Sequence, residues 1–352
     1  MHNNKSQKPV FLYIVIVILS ISLAALGVIT FLSLNRLAVL QEKVSNLSDT
    51  VEEISQSADT LVSQADQLED LKIQEAQLQS ENVTTVPQEG NLSPSGNASF
   101  SSNTDESLDS LLSQVQTILP QNNGTWSVYV CNLLKNTEGV INDTPMKAAG
   151  LIRLFIMGTV YENYSQLTRQ YGSETLDSNL SAMITSGDNN AADTLVNWIG
   201  DGSSSEGMAR INQFCQDHGY TNTQMNHMLS EGNEGGENYT SARDCGAFLK
   251  EVYQICNGTA SSPSLSSADA MYYQLKMQQD KSKIPAGIPE GVHIANETGQ
   301  LDAVENDAAI IYDASKGIDL VICFMSQDLS DTAAARSVIA KDSHAIYGYY
   351  NE

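Results

Sequence analysis

The chain opens with an unbroken apolar run. Residues 10–34, VFLYIVIVILSISLAALGVITFLSL, carry no charged side chain. The run exceeds the roughly 20 residues that take a helix across a bilayer core and the roughly 7–15 of a signal peptide's apolar region. It predicts an uncleaved transmembrane helix behind a short tail, residues 1–9, for which the acidic bulk downstream favours the cytoplasmic side. The small residues of SLAALG raise a cleaved signal as the rival reading. A heptad pattern follows. Leu37, Val44, Val51, Ala58 and Ala65 occupy the a positions, and Leu40, Leu47, Ile54, Leu61 and Leu68 the d positions. Val at a with Leu at d favours a parallel two-stranded coiled coil, so residues 36–82 are expected to form a dimeric stalk. A single amphipathic helix packed on the downstream domain is the alternative. Residues 83–106, rich in Ser, Asn, Thr and Gly, have the composition of a flexible tether.

The remaining pattern, residues 107–352, reads as one compact domain. SLDSLLSQVQTIL (107–119) has helical apolar spacing. TWSVYVCNLL (125–134) is rich in strand formers, with a turn expected over Asn136 to Gly139. A long helical middle leads to three strand-like runs, at 291–300, 303–313 and 317–326. A final helix is expected after Asp328 or Ser330 as its N-cap. The order predicts an α/β (α+β) domain, in which both chain ends build an antiparallel sheet around an inserted helical subdomain.

Charge and cysteine content narrow the function. Forty-two acidic against 18 basic residues give a net charge of −24, which excludes nucleic acid as a partner, since phosphate binding needs Lys and Arg. The five Cys, at 131, 215, 245, 256 and 323, contain no C-x-x-C, and the five His have no ligand spacing. No metal or other cofactor is expected. The cysteines read as buried free thiols. One bridge is left open, with Cys131 and Cys323 as candidates because both lie in strand-like runs.

Four segments carry a resemblance. AAGLIRLFIMGTVY (148–161) resembles the helix of an S-x-x-K motif. MITSGDNNAADTLVNWIG (183–200) resembles an S-D-N segment, and ANETGQLDAVENDAAIIY (295–312) a K-T-G strand with its hairpin. ENYTSARDCGAFLKEVY (237–253) resembles the exit from an Ω-loop. Their order is that of the class A β-lactamase-like, penicillin-recognising serine hydrolases. The resemblance implies a β-lactamase/transpeptidase-like domain. It also favours an exterior C-terminal domain on a bacterial membrane, and β-lactam or D-Ala-D-Ala carbonyls as the family's substrates.

The catalytic letters are missing. Gly150 stands at the serine position and cannot act as a nucleophile. Arg153 stands at the Lys position, and a guanidinium is no base near neutral pH. Gly187 replaces the S-D-N serine. Glu297 replaces the K-T-G lysine, reversing charge where family ligands place an anion. Like charges at 4 Å repel by about 4 kcal/mol at an effective dielectric of 20. Asp188, Asn189, Thr298, Gly299 and Gln300 remain as candidate binding positions. By resemblance, Asp188 is structural and Asn189 faces a substrate amide. Glu231, Glu234 and Glu237 fall in the Ω-loop region, but none has the E-x-x-L-N setting of the family's base. Arg153 and Glu297 are expected to pair across the old site, with the two glycines leaving space around them.

These losses predict a non-catalytic, membrane-anchored envelope protein that binds, senses or scaffolds. Peptidoglycan or an envelope protein would be its partner. The alternative is an active β-lactamase or D,D-peptidase with a displaced nucleophile, for which Ser186 or Thr144 of the T-x-x-K stretch is the nearest candidate.

Overall fold

The computed structural model describes residues 108–231, 236–260 and 264–351. The predicted membrane helix, coiled coil and tether lie outside the described residues. Among the described residues, no helix is long and apolar enough to cross a membrane.

Helix α1 (Asp109–Ile118) leads into strands β1 (Thr125–Asn132) and β2 (Thr137–Ile141). Then come a short strand β3 (Met146–Lys147), a 3-10 turn (Ala149–Leu151) and the helical insert. The insert comprises α2 (Ile152–Glu162), α3 (Tyr164–Tyr171), α4 (Ser173–Thr185), α5 (Asn189–Ile199), α6 (Ser204–Asp217), α7 (Ala242–Cys256) and α8 (Ala268–Lys276). A two-residue strand β4 (Tyr239–Thr240) precedes α7 and pairs with β3. After a single turn, α9 (Ile284–Gly287), the chain returns as β5 (His293–Leu301), β6 (Val304–Asp313) and β7 (Ile318–Gln327), and ends in α10 (Thr332–Asn351). The main sheet is antiparallel with order β2-β1-β7-β6-β5. The expected split of the sheet between the two chain ends is therefore present.

The sheet is covered on both faces, which explains why its strands read as nearly continuous apolar runs. Alternate residues divide between two cores. Val128, Val130, Leu320, Ile322 and Phe324 face the core shared with α1 and α10. Tyr129, Cys131, Val321, Cys323 and Met325 face the core shared with the helical insert. Every residue of α2 from Ile152 to Tyr161 is buried, as expected of a helix apolar on all sides.

Three local expectations change. The β1–β2 turn occupies residues 133–136, three residues before the expected stretch, because Asn132 Oδ1 accepts the Leu134 and Lys135 N–H groups. Asp331, not Asp328 or Ser330, caps α10, accepting from the Ala334 N–H at 2.9 Å. Ser330 instead bonds Asn123. The five cysteines are free, and only Cys256 is not fully buried. Cys323 stands opposite Tyr129 and Cys131 opposite Val321, so the candidate bridge partners are diagonal rather than facing.

Candidate functional site: a catalytic frame closed by an arginine

The site forms where the 3-10 turn before α2 meets strand β5. The contact is backbone to backbone. A Cβ added at Gly150 would lie 2.2 Å from the Thr298 carbonyl and 2.4 Å from Arg153 Nη1. A Cβ at Gly299 would lie 2.6 Å from the Gly150 nitrogen. Gly150 therefore leaves no open space. The turn and strand need its missing side chain to approach this closely, and the preceding Ala149 takes a left-handed φ of 46°.

Arg153 fills what remains. Its Nη1 lies 3.2 Å from Glu297 Oε1. Its Nη2 donates to the Gly187 carbonyl at 3.0 Å and to Asn189 Oδ1 at 2.6 Å. The expected ion pair is thus formed, and one guanidinium ties together the three degenerate motifs. Nε is buried without a hydrogen-bond partner. Gly187 keeps a φ of 70°, and a Cβ there would make only ordinary contact with the guanidinium, at 3.6 Å. Space therefore exists beside Gly187 and not beside Gly150.

Glu297 does not face the cleft. It is fully buried and also accepts from Gln278 Nε2 at 3.3 Å. Burial pushes its carboxyl up, to about 8, against the pull of Arg153. The repulsion expected from Glu297 toward an anionic ligand is therefore largely neutralised within the protein. The acidic groups that do line the outer cleft are Glu231, Glu237 and Asp302, alongside Lys147 and His227.

The remaining candidates separate. Asp188 caps α5, accepting from the Asn190 and Ala191 N–H groups, a structural role. Asn189 lines the cleft, but its amide is occupied by Arg153 and by the Leu229 carbonyl. Thr298 turns its hydroxyl away, between the buried Lys283 ammonium at 2.7 Å and the Asn306 carbonyl. Gly299 is pressed against the turn. Gln300 is exposed in the cleft. Of the Ω-loop acids, Glu231 is exposed and Glu237 half-buried at the cleft wall, and Glu234 lies outside the described residues.

Several positioning residues have no short motif that would reveal them. Asp193 of α5 holds the loop through the Leu229 and Ser230 N–H groups. Asn238 fixes it again by accepting from Asn226 and His227. Lys283 is 1% exposed and lies 2.9 Å from Glu305, which Arg336 also reaches.

The space beside Gly150 and Arg153 is a cavity of about 80 Å3, next to an open cleft of about 950 Å3. Among the described residues, no Ser, Thr or Cys side chain lines the smaller cavity. Ser186 is exposed at the end of α4 with its hydroxyl donated to Ala182. Thr144 is exposed and bonded to Asn142.

The profile of the beta-lactamase enzyme family matches residues 167–350. No curated protein matches in sequence. Among solved structures, PBP-A superposes with a TM-score of 0.58 at 23% identity, covering 69% of this chain and 96% of its own. The beta-lactamase from Sphaerobacter thermophilus DSM 20745 gives 0.57 at 18% identity, covering 69% and 97%. An ancestral (GNCA) class A beta-lactamase gives 0.56 at 19%, covering 68% and 99%. These likenesses establish the fold, and with the profile match over more than half of its length the chain belongs to the beta-lactamase enzyme family.

Proposed function

We propose that this protein is a non-catalytic member of its family, held at the outer face of a bacterial membrane by residues 10–34. A parallel coiled coil over residues 36–82 would present two domains to the envelope, where they bind, sense or scaffold peptidoglycan or an envelope protein. One observation carries the reading. The Arg153 guanidinium occupies the place of the catalytic apparatus, and the cavity it leaves is lined by no hydroxyl or thiol. Acyl transfer needs a nucleophile beside a base, and among the described residues the cavity wall offers no hydroxyl or thiol for the first role.

Labelling with a fluorescent penicillin tests this. The expected result is no covalent, hydroxylamine-sensitive band at concentrations that saturate an active penicillin-binding protein. A stoichiometric band would overturn the reading and return the displaced-nucleophile alternative.

A further inference from the structure

A second pocket, of about 300 Å3, shares no lining residue with the old catalytic cleft or its cavity. Asn212 and Gln216 line it from α6, where a spacing of four puts them on one helix face. Gln224 and Tyr239 line it as well. The frame is fixed. Asn212 exchanges two hydrogen bonds with the Met225 backbone, at 2.7 and 2.9 Å. Gln224 and Tyr239 exchange both backbone bonds, at 2.9 Å each.

The net charge of the chain is −24, yet no lining residue of this pocket is an Asp, Glu, Lys, Arg or His. Asp244, which accepts from Asn222 and Thr223, is 4% exposed and does not line it. An ionic ligand would find no counter-ion here, and its desolvation would go uncompensated. Polar capacity is nonetheless open. Gln216 and Gln224 are exposed, and among the described residues neither side-chain amide has a hydrogen-bond partner. The hydroxyls of Thr221 and Tyr239 have none either. Each amide offers two donors and an acceptor, which suits a ligand carrying adjacent hydroxyls. Tyr239, 36% exposed, adds a flat apolar ring. Strand addition by a peptide is closed off, because Tyr239 is already paired with Gln224 on one side and Lys147 on the other. We propose that this pocket binds an uncharged pyranose sugar, whose hydroxyls bond the Gln216 and Gln224 amides and whose C–H face packs on Tyr239. The proposal is independent of whether the cleft is catalytic.

The test titrates the full-length chain, in a detergent without a sugar headgroup, by saturation-transfer NMR and calorimetry. N-acetylglucosamine and its linear trimer are the probes. Cationic glucosamine, anionic glucuronate and a terminally blocked Ala-Gln-Ala peptide are the comparators. Each probe saturates one site and binds at least about tenfold more tightly than any comparator. Tighter binding of the trimer makes a glycan chain the occupant, and equal binding of the two makes it a single sugar. The double variant Gln216→Ala, Gln224→Ala removes exposed, unbonded side chains, so its thermal melt is unchanged. It weakens binding about tenfold or more, and Tyr239→Ala does the same. Binding of neither probe overturns the proposal, as does equal binding of a charged sugar or of the peptide. So does an unchanged affinity in the glutamine variant, or a loss seen in the cleft variant Glu231→Gln instead.

Discussion

Arg153 Nη1 and Glu297 Oε1 lie 3.2 Å apart and join the start of α2 to strand β5. Both side chains are nearly or wholly enclosed. Removing one strands the other in a poorly solvated site. Arg153→Met should therefore cost about 3–5 kcal/mol at pH 8. Glu297→Gln should cost less, because a neutral amide still accepts from the guanidinium and Gln278. Urea unfolding read by Trp126 and Trp198 fluorescence measures both. Costs under about 1 kcal/mol with no coupling in a double-mutant cycle would mean that the pair is not a lock.

Gly150 gives a sharper expectation. Replacing Arg153 removes only one of the two collisions a new Cβ would meet, since the Thr298 carbonyl remains at 2.2 Å. Gly150→Ser should lower the melting temperature by several degrees, and Arg153→Lys should restore only part of it. The combined set Gly150→Ser, Arg153→Lys, Gly187→Ser and Glu297→Lys should stay unlabelled by a fluorescent penicillin. Acylation of that variant would show that β5 retreats readily and that the closure is shallow.

Stability should fall as pH rises from about 5 to 8. Burial raises Glu297 to about 8, and Asp307 and Asp342 each to about 7. Between the ordinary carboxyl range near 4 and these values, the folded chain holds protons that the unfolded chain has released. Raising the pH therefore favours unfolding. Asp313, held down by Ser315 and Tyr347, acts oppositely in more acid solution. The urea midpoint should accordingly peak near pH 5. A midpoint that rises steadily to pH 8 would contradict the assignment.

Asp342 offers the same argument at one residue. It is fully buried in α10, with neither carboxyl oxygen hydrogen-bonded among the described residues. Asp342→Asn removes an ionisable group without changing its shape. The variant should melt higher than the parent at pH 8 and nearly alike at pH 5, by differential scanning fluorimetry. Equal differences at both values would mean that charge is not the cost.

The heptads of residues 36–82 carry a quaternary prediction. Deleting them should turn a dimer into a monomer in analytical ultracentrifugation, while leaving the unfolding midpoint of the domain unchanged. A shortened chain that remains dimeric would move the interface onto the globular domain.

Much of this architecture was legible in the residues. The β6 and β7 runs begin and end within a residue of the observed strands because both faces are buried and turns punctuate them. Opposite charges at two degenerate motif positions were enough to anticipate the Arg153–Glu297 pair. The remainder depends on contacts between segments distant in sequence. Nothing local marks Asn189 as a partner of Arg153, or Lys283 as the buried ammonium behind Thr298. The closeness of Gly150 to β5 is a distance between backbones, and a glycine code in a sequence does not distinguish close approach from empty space. The cap at Asp331 was displaced by Asn123, whose side chain claims Ser330 from the other end of the domain.

The central pairing of the sheet bears on how the domain is made. β1 has β2 on one side, and on the other it pairs with β7, where Thr125 meets Gln327 near the far end of the chain. The helical insert lies between them and is complete long before that partner emerges. During synthesis, β1 and β2 must wait as an open hairpin edge, and closing the sheet is a late event of high contact order. A chain interrupted before β7 is left with that edge unpaired and exposed to self-association. Assembly of the domain is thereby tied to delivery of its last strand.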